Sequence, residues 1–350
     1  MNKGNIIFDT SLQFFSKWLI QNEYKHIFLL IDENTRKHCL PVLVSDVKIL
    51  SDAQIIEIPT GEESKNLVNC EHIWSELLHN NANRDALIIN LGGGLLTDIG
   101  GFAASVYKRG IPFVNIPTSL IGMIDASVGG KTGINFKSLK NQIGLFSDPD
   151  LVVICHRFLA SLAQNHLLSG FGEMLKYGLI LDRKLWNELK TIDIQSDLFT
   201  QTELINRCLE IKQSVVELDY YEKNYRKVLN FGHTVGHALE SFFIGKSESE
   251  LSHGQAVAHG LVIESIIANQ CGLLSDSDTQ EIEIVVFRHF QKLSLLPEYF
   301  DKLYEIMSFD KKNQNAVVNF TLLKSIGEAQ IDNIVSKKGI IKALEEYMKL

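Results

Sequence analysis

Five short apolar runs rich in β-branched residues, separated by helix-like stretches, constrain the fold of the first part of this chain more than any other feature. The runs are HIFLLI (26–31), QIIEI (54–58), ALIINL (86–91), FVNI (113–116) and LVVI (151–154). Near-continuous apolar runs of this length read as buried strands covered on both faces. Amphipathic segments such as 64–80 and 95–107 lie between them. Strands that alternate with helices predict a parallel α/β sheet. After about residue 160 long helical patterns take over, at 166–181, 200–219, 232–243, 254–270, 277–293 and 337–349. One late strand-like pair, VNFTLL (318–323) and AQIDNI (329–334), interrupts them, and the SESE stretch near 247–250 reads as a polar loop. The change of texture near 155–165 predicts an α/β domain over 1–160 and a helical domain over 161–350, with a cleft between them as the default binding site.

Charge and cysteine usage narrow the class. A net charge of −8 on 350 residues argues against a nucleic-acid or anionic-membrane surface, so a basic cluster would serve a small anionic ligand. The start, MNKGNIIFDT, lacks a signal-peptide pattern, and no apolar run approaches membrane-spanning length. Five scattered cysteines (39, 70, 155, 208 and 271) form no Cys-x-x-Cys pair and read as reduced thiols of a cytoplasmic protein.

Residues 124–144, IDASVGGKTGINFKSLKNQIG, combine Asp125 with four glycines, three lysines and Asn141. They read as an anion-binding loop too polar for core. A nucleotide P-loop would need glycine five positions before Gly130-Lys131-Thr132, where Asp125 stands instead. Upstream, Gly92-Gly93-Gly94 ends one strand and opens a helix, which suits a pyrophosphate at the helix N-terminus or a plain tight turn. Asp32, closing the first strand run, suits a ribose hydroxyl or a helix cap, and Asp98 a cap or a cofactor contact. In NFGHTVGHALES, His233 and His237 are four apart and share a helix face with Glu240. His253 opens the next helix, and Glu173 lies in SGFGEMLKYG with Lys176 one turn on. Two imidazoles and a carboxylate suit zinc with an open position, although a histidine pair alone can be structural. Lys212, Arg226, Asn230, Lys311, Lys312 and Arg109 read singly as solvated surface.

The order GGGLLTDIGGF, YKRGIPF, PTSL, DASVGGKTGIN, KNQIG, GFGEMLKYG, LNFGHTVGHALE, LSHGQAVA and MSFDKK resembles the 3-dehydroquinate synthases of the sugar phosphate cyclase superfamily. The resemblance runs from about residue 57 to 312, with Asp32 as an earlier anchor. It implies a Rossmann-like α/β NAD-binding domain followed by an all-α metal-binding domain. By matching motif it implies zinc or cobalt ligands Glu173, His233 and His253. NAD contacts would come from Asp32, Glu62, Lys65, Gly93, Gly94, Asp98, Thr118, Ser119, Lys131 and Lys140. Substrate and proton-transfer positions would be Asp125, Lys131, Lys140, Asn141, Lys176, Lys212, Arg226, Asn230, His237 and Lys311, the last favoured over Lys312. Arg109 would reach across the interface of a homodimer. Departures from the family pattern include Ser119 in PTS, Thr97, Gly172, Gln255 after the His-Gly pair, and Cys155 with ASLA at the domain joint.

The reaction so implied turns a small anionic sugar-acid phosphate, 3-deoxy-arabino-heptulosonate 7-phosphate, into 3-dehydroquinate and phosphate. It proceeds by transient oxidation with NAD, β-elimination, reduction, ring opening and aldol closure, a carbon–oxygen lyase reaction of the shikimate pathway. Competing readings are an amino-substrate or other sugar phosphate cyclase, a metal-dependent polyol dehydrogenase, and a non-catalytic nucleotide-binding module.

Overall fold

The computed structural model describes residues 5–137, 139–194, 201–244, 251–309 and 317–350. Two compact units divide the chain, Met1–Ala163 and Gln164–Leu350. The first is built on a parallel sheet of β1 (Asn5–Phe8), β2 (His26–Ile31), β3 (Gln54–Glu57), β4 (Ala86–Gly92), β5 (Phe113–Pro117) and β8 (Leu151–Ile154). Between β5 and β8 come β6 (Lys131–Phe136) and β7 (Leu139–Phe146), which pair antiparallel as a separate hairpin. The spatial order in the sheet is β1-β8-β5-β4-β2-β3. Chain direction across the sheet reverses between β2 and β4, where Leu30 pairs with Asn90. The carboxyl ends of those two strands, at Asp32 and Gly92, therefore flank the point at which ligands bind open α/β sheets.

The inner apolar runs form strands because helices cover them: every residue of β4 is buried, and helices Leu67–His79 and Gly94–Val106 contribute to the core with Ile73, Leu77, Leu96, Ile99 and Ala103, while the edge strand β3 keeps Gln54 and Ile55 exposed. Burying one such aliphatic side chain contributes roughly 1.5–3 kcal/mol. The polar segment 124–144 departs from the expected surface loop. It opens with a π-helical turn, Gly122–Ala126, and runs into the β6–β7 hairpin. Ile124 and Thr132–Ile134 are buried, because β6 packs on helix Gly94–Val106 while β7 stays largely exposed. Gly129 and Gly130, at φ +99° and +67°, make the turn that an L side chain would resist. The edge strand β1 is only four residues long and carries no run signal of its own.

The second unit is helical, with a two-stranded antiparallel sheet of β9 (Val317–Ser325) and β10 (Glu328–Ser336) where the strand-like pair was expected. Its axis is helix His253–Gln270, buried from Gly254 to Ala268 except Gln255. Helices Gln164–Leu181, His233–Phe243, Asp276–His289 and Lys337–Lys349 pack around it. Ser252 and Gln255 form a capping box at its start, Ser252 Oγ accepting from Gln255 N and Gln255 Oε1 from Ser252 N. Gln255, a departure from the family pattern, thus has a structural task. The 247–250 stretch lies outside the described residues. Among the described residues no helix is long and apolar enough to cross a membrane.

The central helix meets helix His233–Phe243 almost backbone to backbone. A Cβ on Gly260 would lie 1.9 Å from the Gly232 carbonyl oxygen and 2.9 Å from the Gly236 nitrogen. Backbone atoms cannot step aside as a flexible side chain can, so Gly260→Ala is expected to lower unfolding stability by about 1–3 kcal/mol. Urea denaturation reads this, and an unchanged midpoint would show that the two helices separate without cost.

Candidate active site

In the first unit the candidate residues gather at the carboxyl ends of β2, β4 and β5. Gly93 is the N-cap of helix Gly94–Val106, and among the described residues no side chain caps that end. A Cβ on Gly93 would stand 3.1 Å from Ser119 Oγ, and one on Gly94 3.1 Å from Ala126 Cβ. The bare backbone and its first N–H groups make the cradle that a pyrophosphate fits. Thr118 N donates to Gly92 O at 3.0 Å and Ser119 Oγ accepts from Gly122 N at 3.1 Å, so PTS and the glycines form one wall. Asp32 caps helix Glu33–His38, its Oδ1 accepting from Thr35 N at 2.8 Å. That settles one of its two readings and leaves its Oδ2 out of the cap.

Lys65 is buried, and its ammonium lies 2.5 Å from Asp98 Oδ2 and also donates to Asn141 Oδ1. Asn141 N donates to Asn135 Oδ1, and Asn135 Nδ2 reaches Glu62 Oε1 at 2.8 Å. One network therefore joins Glu62, Lys65, Asp98 and Asn141. Burial pushes the Asp98 carboxyl up against the pull of Lys65, with Glu62 and Asp125 adding to the rise. Asp125 sits on the π-helical turn, a local distortion frequent at functional sites. Lys131 and Lys140 lie exposed on the hairpin, and Arg109 is exposed with a left-handed φ of +69°.

In the second unit three histidines converge. Ligand atoms of His233, His237 and His253 lie within 4.8 Å of one another. His233 is the first residue of its helix after Gly232, and His253 the first of the next. Glu173, fully buried on helix Gln164–Leu181, places Oε1 3.3 Å from His233 Nε2 and 3.2 Å from His253 Nε2. Lys176, one turn on, contacts its Oε2. Among the described residues, both buried carboxylate oxygens nevertheless lack a well-formed hydrogen bond. His233 Nδ1 faces Phe231 O at 3.2 Å and His253 Nδ1 faces Glu240 Oε2 at 3.3 Å, which turns both Nε2 atoms toward Glu173. Two oriented imidazoles and an under-satisfied buried carboxylate fit a divalent cation.

The charges around this cluster are strongly coupled. Burial alone would raise the Glu173 carboxyl, but Lys176 and His233 hold it well below the usual range. Burial and Lys176 lower His233. Burial would also lower His253, yet Glu173 and Glu240 raise it to about 10. Desolvation by surrounding protein, with the neighbouring imidazoles, lowers His237, which is neutral at neutral pH although its ring reaches solvent.

Lys212 is buried on helix Thr202–Leu218, and Arg226 is buried with Nη1 donating to Tyr220 O at 2.6 Å. Asn230 Nδ2 lies 3.3 Å from Glu222 Oε1. Among the described residues the buried lysines and arginines are Lys65, Lys176, Lys212 and Arg226, each already a candidate from the motifs. Burying a cation is costly without an anionic partner, so these positions are not ordinary surface charges. Lys311 and Lys312 lie outside the described residues. Sequence reading gave no role to Glu264, a buried carboxylate beside His233 whose only signal is an acid inside an apolar helix.

Comparison with known proteins gives this arrangement a family. The 3-dehydroquinate synthase N-terminal family matches residues 55–169 and the 3-dehydroquinate synthase C-terminal family residues 170–313. A 3-dehydroquinate synthase of Parabacteroides distasonis is 40% identical over 327 residues, 93% of this chain and 92% of the relative. One from Campylobacter jejuni subsp. doylei is 36% identical over 329 residues, 92% of each chain. Among solved structures, 2-epi-5-epi-valiolone synthase from Streptomyces hygroscopicus subsp. jinggangensis, with NAD+ and Zn2+ bound, is similar with a TM-score of 0.86. It is 26% identical, with 100% of this chain and 98% of that chain covered. Taken with the fold and the motif order, these matches place the chain in the 3-dehydroquinate synthase family.

Proposed function

We propose that this chain is a lyase that converts 3-deoxy-arabino-heptulosonate 7-phosphate into 3-dehydroquinate and phosphate. It uses NAD and a divalent metal, zinc or cobalt, as catalytic cofactors. Apart from family membership, the observation that carries this reading is the set of buried cations, Lys65, Lys176, Lys212 and Arg226, all at positions the motifs assign to NAD or to substrate binding and proton transfer. A substrate with a carboxylate and a phosphate needs several cations, and a polyol does not.

Glu173, His233 and His253 would hold the metal, because Glu173 Oε1 stands between their two Nε2 atoms. Gly93, Gly94, Thr118 and Ser119 would receive the NAD phosphates, with Asp32, Glu62, Lys65, Asp98, Lys131 and Lys140 as further contacts. When bound, NAD would supply a reversible hydride acceptor, and the metal a Lewis acid for the hydroxyl at the same carbon. Oxidation to a ketone acidifies the adjacent C–H, and phosphate then leaves by elimination. The residues of the chain bind, orient and move protons. His237, neutral and next to the metal ligands, would accept the hydroxyl proton on a ring nitrogen. Lys176 keeps Glu173 ionised as a ligand. Asp125, Asn141, Lys212, Arg226, Asn230 and Lys311 would bind the substrate's polar and charged groups. The same reading makes the protein a cytoplasmic homodimer in which Arg109 of one copy serves the other.

Incubation with the heptulosonate phosphate, catalytic NAD and Zn2+ is expected to release one phosphate per dehydroquinate formed, without net NADH. NADH accumulation with no phosphate would mark a dehydrogenase and contradict the proposal. His237→Ala is expected to keep the metal and lose about 10²–10⁴-fold in kcat, the usual worth of general acid–base catalysis. His233→Ala is expected to lose the metal, and equal metal loss in both variants would make His237 a ligand.

Metal affinity should also depend on pH. His253 holds its proton up to about pH 10 in the metal-free chain, whereas Glu173 is already ionised and His233 already neutral. The metal therefore displaces one proton, and apparent affinity is expected to rise about tenfold per pH unit through the neutral range. Chelator-competition titrations read this slope, and a pH-independent affinity would place the proton elsewhere.

A further inference from the structure

Three glutamates are buried among the described residues: Glu173, Glu240 and Glu264. Only the first has a task in the reaction. The other two are 7% and 0% exposed, and a carboxylate at that depth is retained only where strong hydrogen bonds compensate it. Their partners form a reciprocal pattern. Glu240 belongs to the helix that begins with His233, and its Oε2 faces Nδ1 of His253 on the neighbouring helix at 3.3 Å. Glu264 belongs to the helix that begins with His253, and it reaches back to the first turn of the His233 helix. Its Oε2 accepts from Gly232 N at 2.7 Å and its Oε1 from Val235 N at 2.9 Å. Each helix thus sends one carboxylate to the histidine-bearing end of the other.

The two contacts fix different things. An acceptor at His253 Nδ1 selects the tautomer whose Nε2 lone pair is free for a metal, and it sets the ring's rotation. The two N–H bonds to Glu264 hold the residues on either side of His233, so they fix where its Cα stands. Gly232 has a left-handed φ of +80°, and Gly260 lets the helices touch there. Sliding or rotating one helix against the other would break both carboxylate contacts together.

We propose that Glu240 and Glu264 form a reciprocal brace that positions the Nε2 atoms of His233 and His253 for one metal ion, an inference that rests on the metal reading above. Both are positioning residues and neither is a ligand. Glu240→Gln weakens the acceptor at His253, and Glu264→Gln turns an NH2 group toward one of two N–H donors. Each substitution is expected to lower affinity for Zn2+ by about 10- to 100-fold, the usual effect of losing an outer-shell partner. Because the two act through one helix pair, the double variant is expected to lose less than the product of the single losses.

The test is chelator competition with Zn2+ on the full chain, with the visible absorption of the Co2+-loaded protein as a second readout. Reduced affinity together with an altered cobalt spectrum supports the brace. Wild-type affinity and spectrum in Glu240→Gln overturn it, and that variant decides alone if Glu264→Gln does not fold. Strictly multiplicative losses overturn the reciprocity. A wild-type chain that binds no metal, or His233→Ala that still binds it, overturns the metal reading itself, which is a distinguishable result.

Discussion

The carboxylate of Glu173 is the interaction on which the second unit depends. It is buried completely, close to the ends of two helices that each begin with a histidine. Removing such a charge from water costs several kcal/mol, so it persists only because Lys176 and the imidazoles surround it. That requirement brings the helices to near backbone contact and explains the glycines at the crossings. A Cβ on Gly172 would meet the Gly254 carbonyl oxygen at 2.4 Å, and one on Gly254 the Ser169 carbonyl oxygen at 1.8 Å. The arrangement that compensates a buried charge is the same arrangement that brings one carboxylate and two imidazole nitrogens together.

The first unit uses a buried cation in place of a buried anion. Lys65 ties Asp98, on the helix after the glycines, to Asn141 on the β6–β7 hairpin. The hairpin, with its exposed outer strand, is held at the carboxyl end of the sheet by this ammonium, by the Asn135 hydrogen bonds to Glu62 and to the Lys65 carbonyl, and by the packing of β6. Substrate-binding and cofactor-binding candidates are thereby linked within a single hydrogen-bonded network.

The inner strands of the parallel sheet were legible because both faces are covered there, which writes them as near-continuous apolar runs, whereas the short edge strand β1 leaves no such run. The hairpin was not, since β7 is exposed along almost its whole length and β6 mixes lysine, glycine and asparagine with two apolar residues. Asp125 argued correctly against a P-loop, but the buried positions Thr132–Ile134 needed the packing of β6 on its helix to be seen. Spacing put His233 and His237 on one face, and nothing in spacing separates a ligand from a proton acceptor. Only the fold shows that Glu173, remote in sequence, lies beside His233 and His253. Glu264 was invisible for a related reason: its partners are two backbone N–H groups around thirty residues away, and no motif records a backbone partner.

The division of labour between His237 and the other two histidines can be read directly. Crystals of the chain grown with Zn2+ and measured at the zinc absorption edge should show one anomalous peak, bonded to a Glu173 oxygen and to Nε2 of His233 and His253, with His237 unbonded. A peak bonded to all three histidines with Glu173 outside its coordination shell would contradict the assignment of His237 as the proton acceptor.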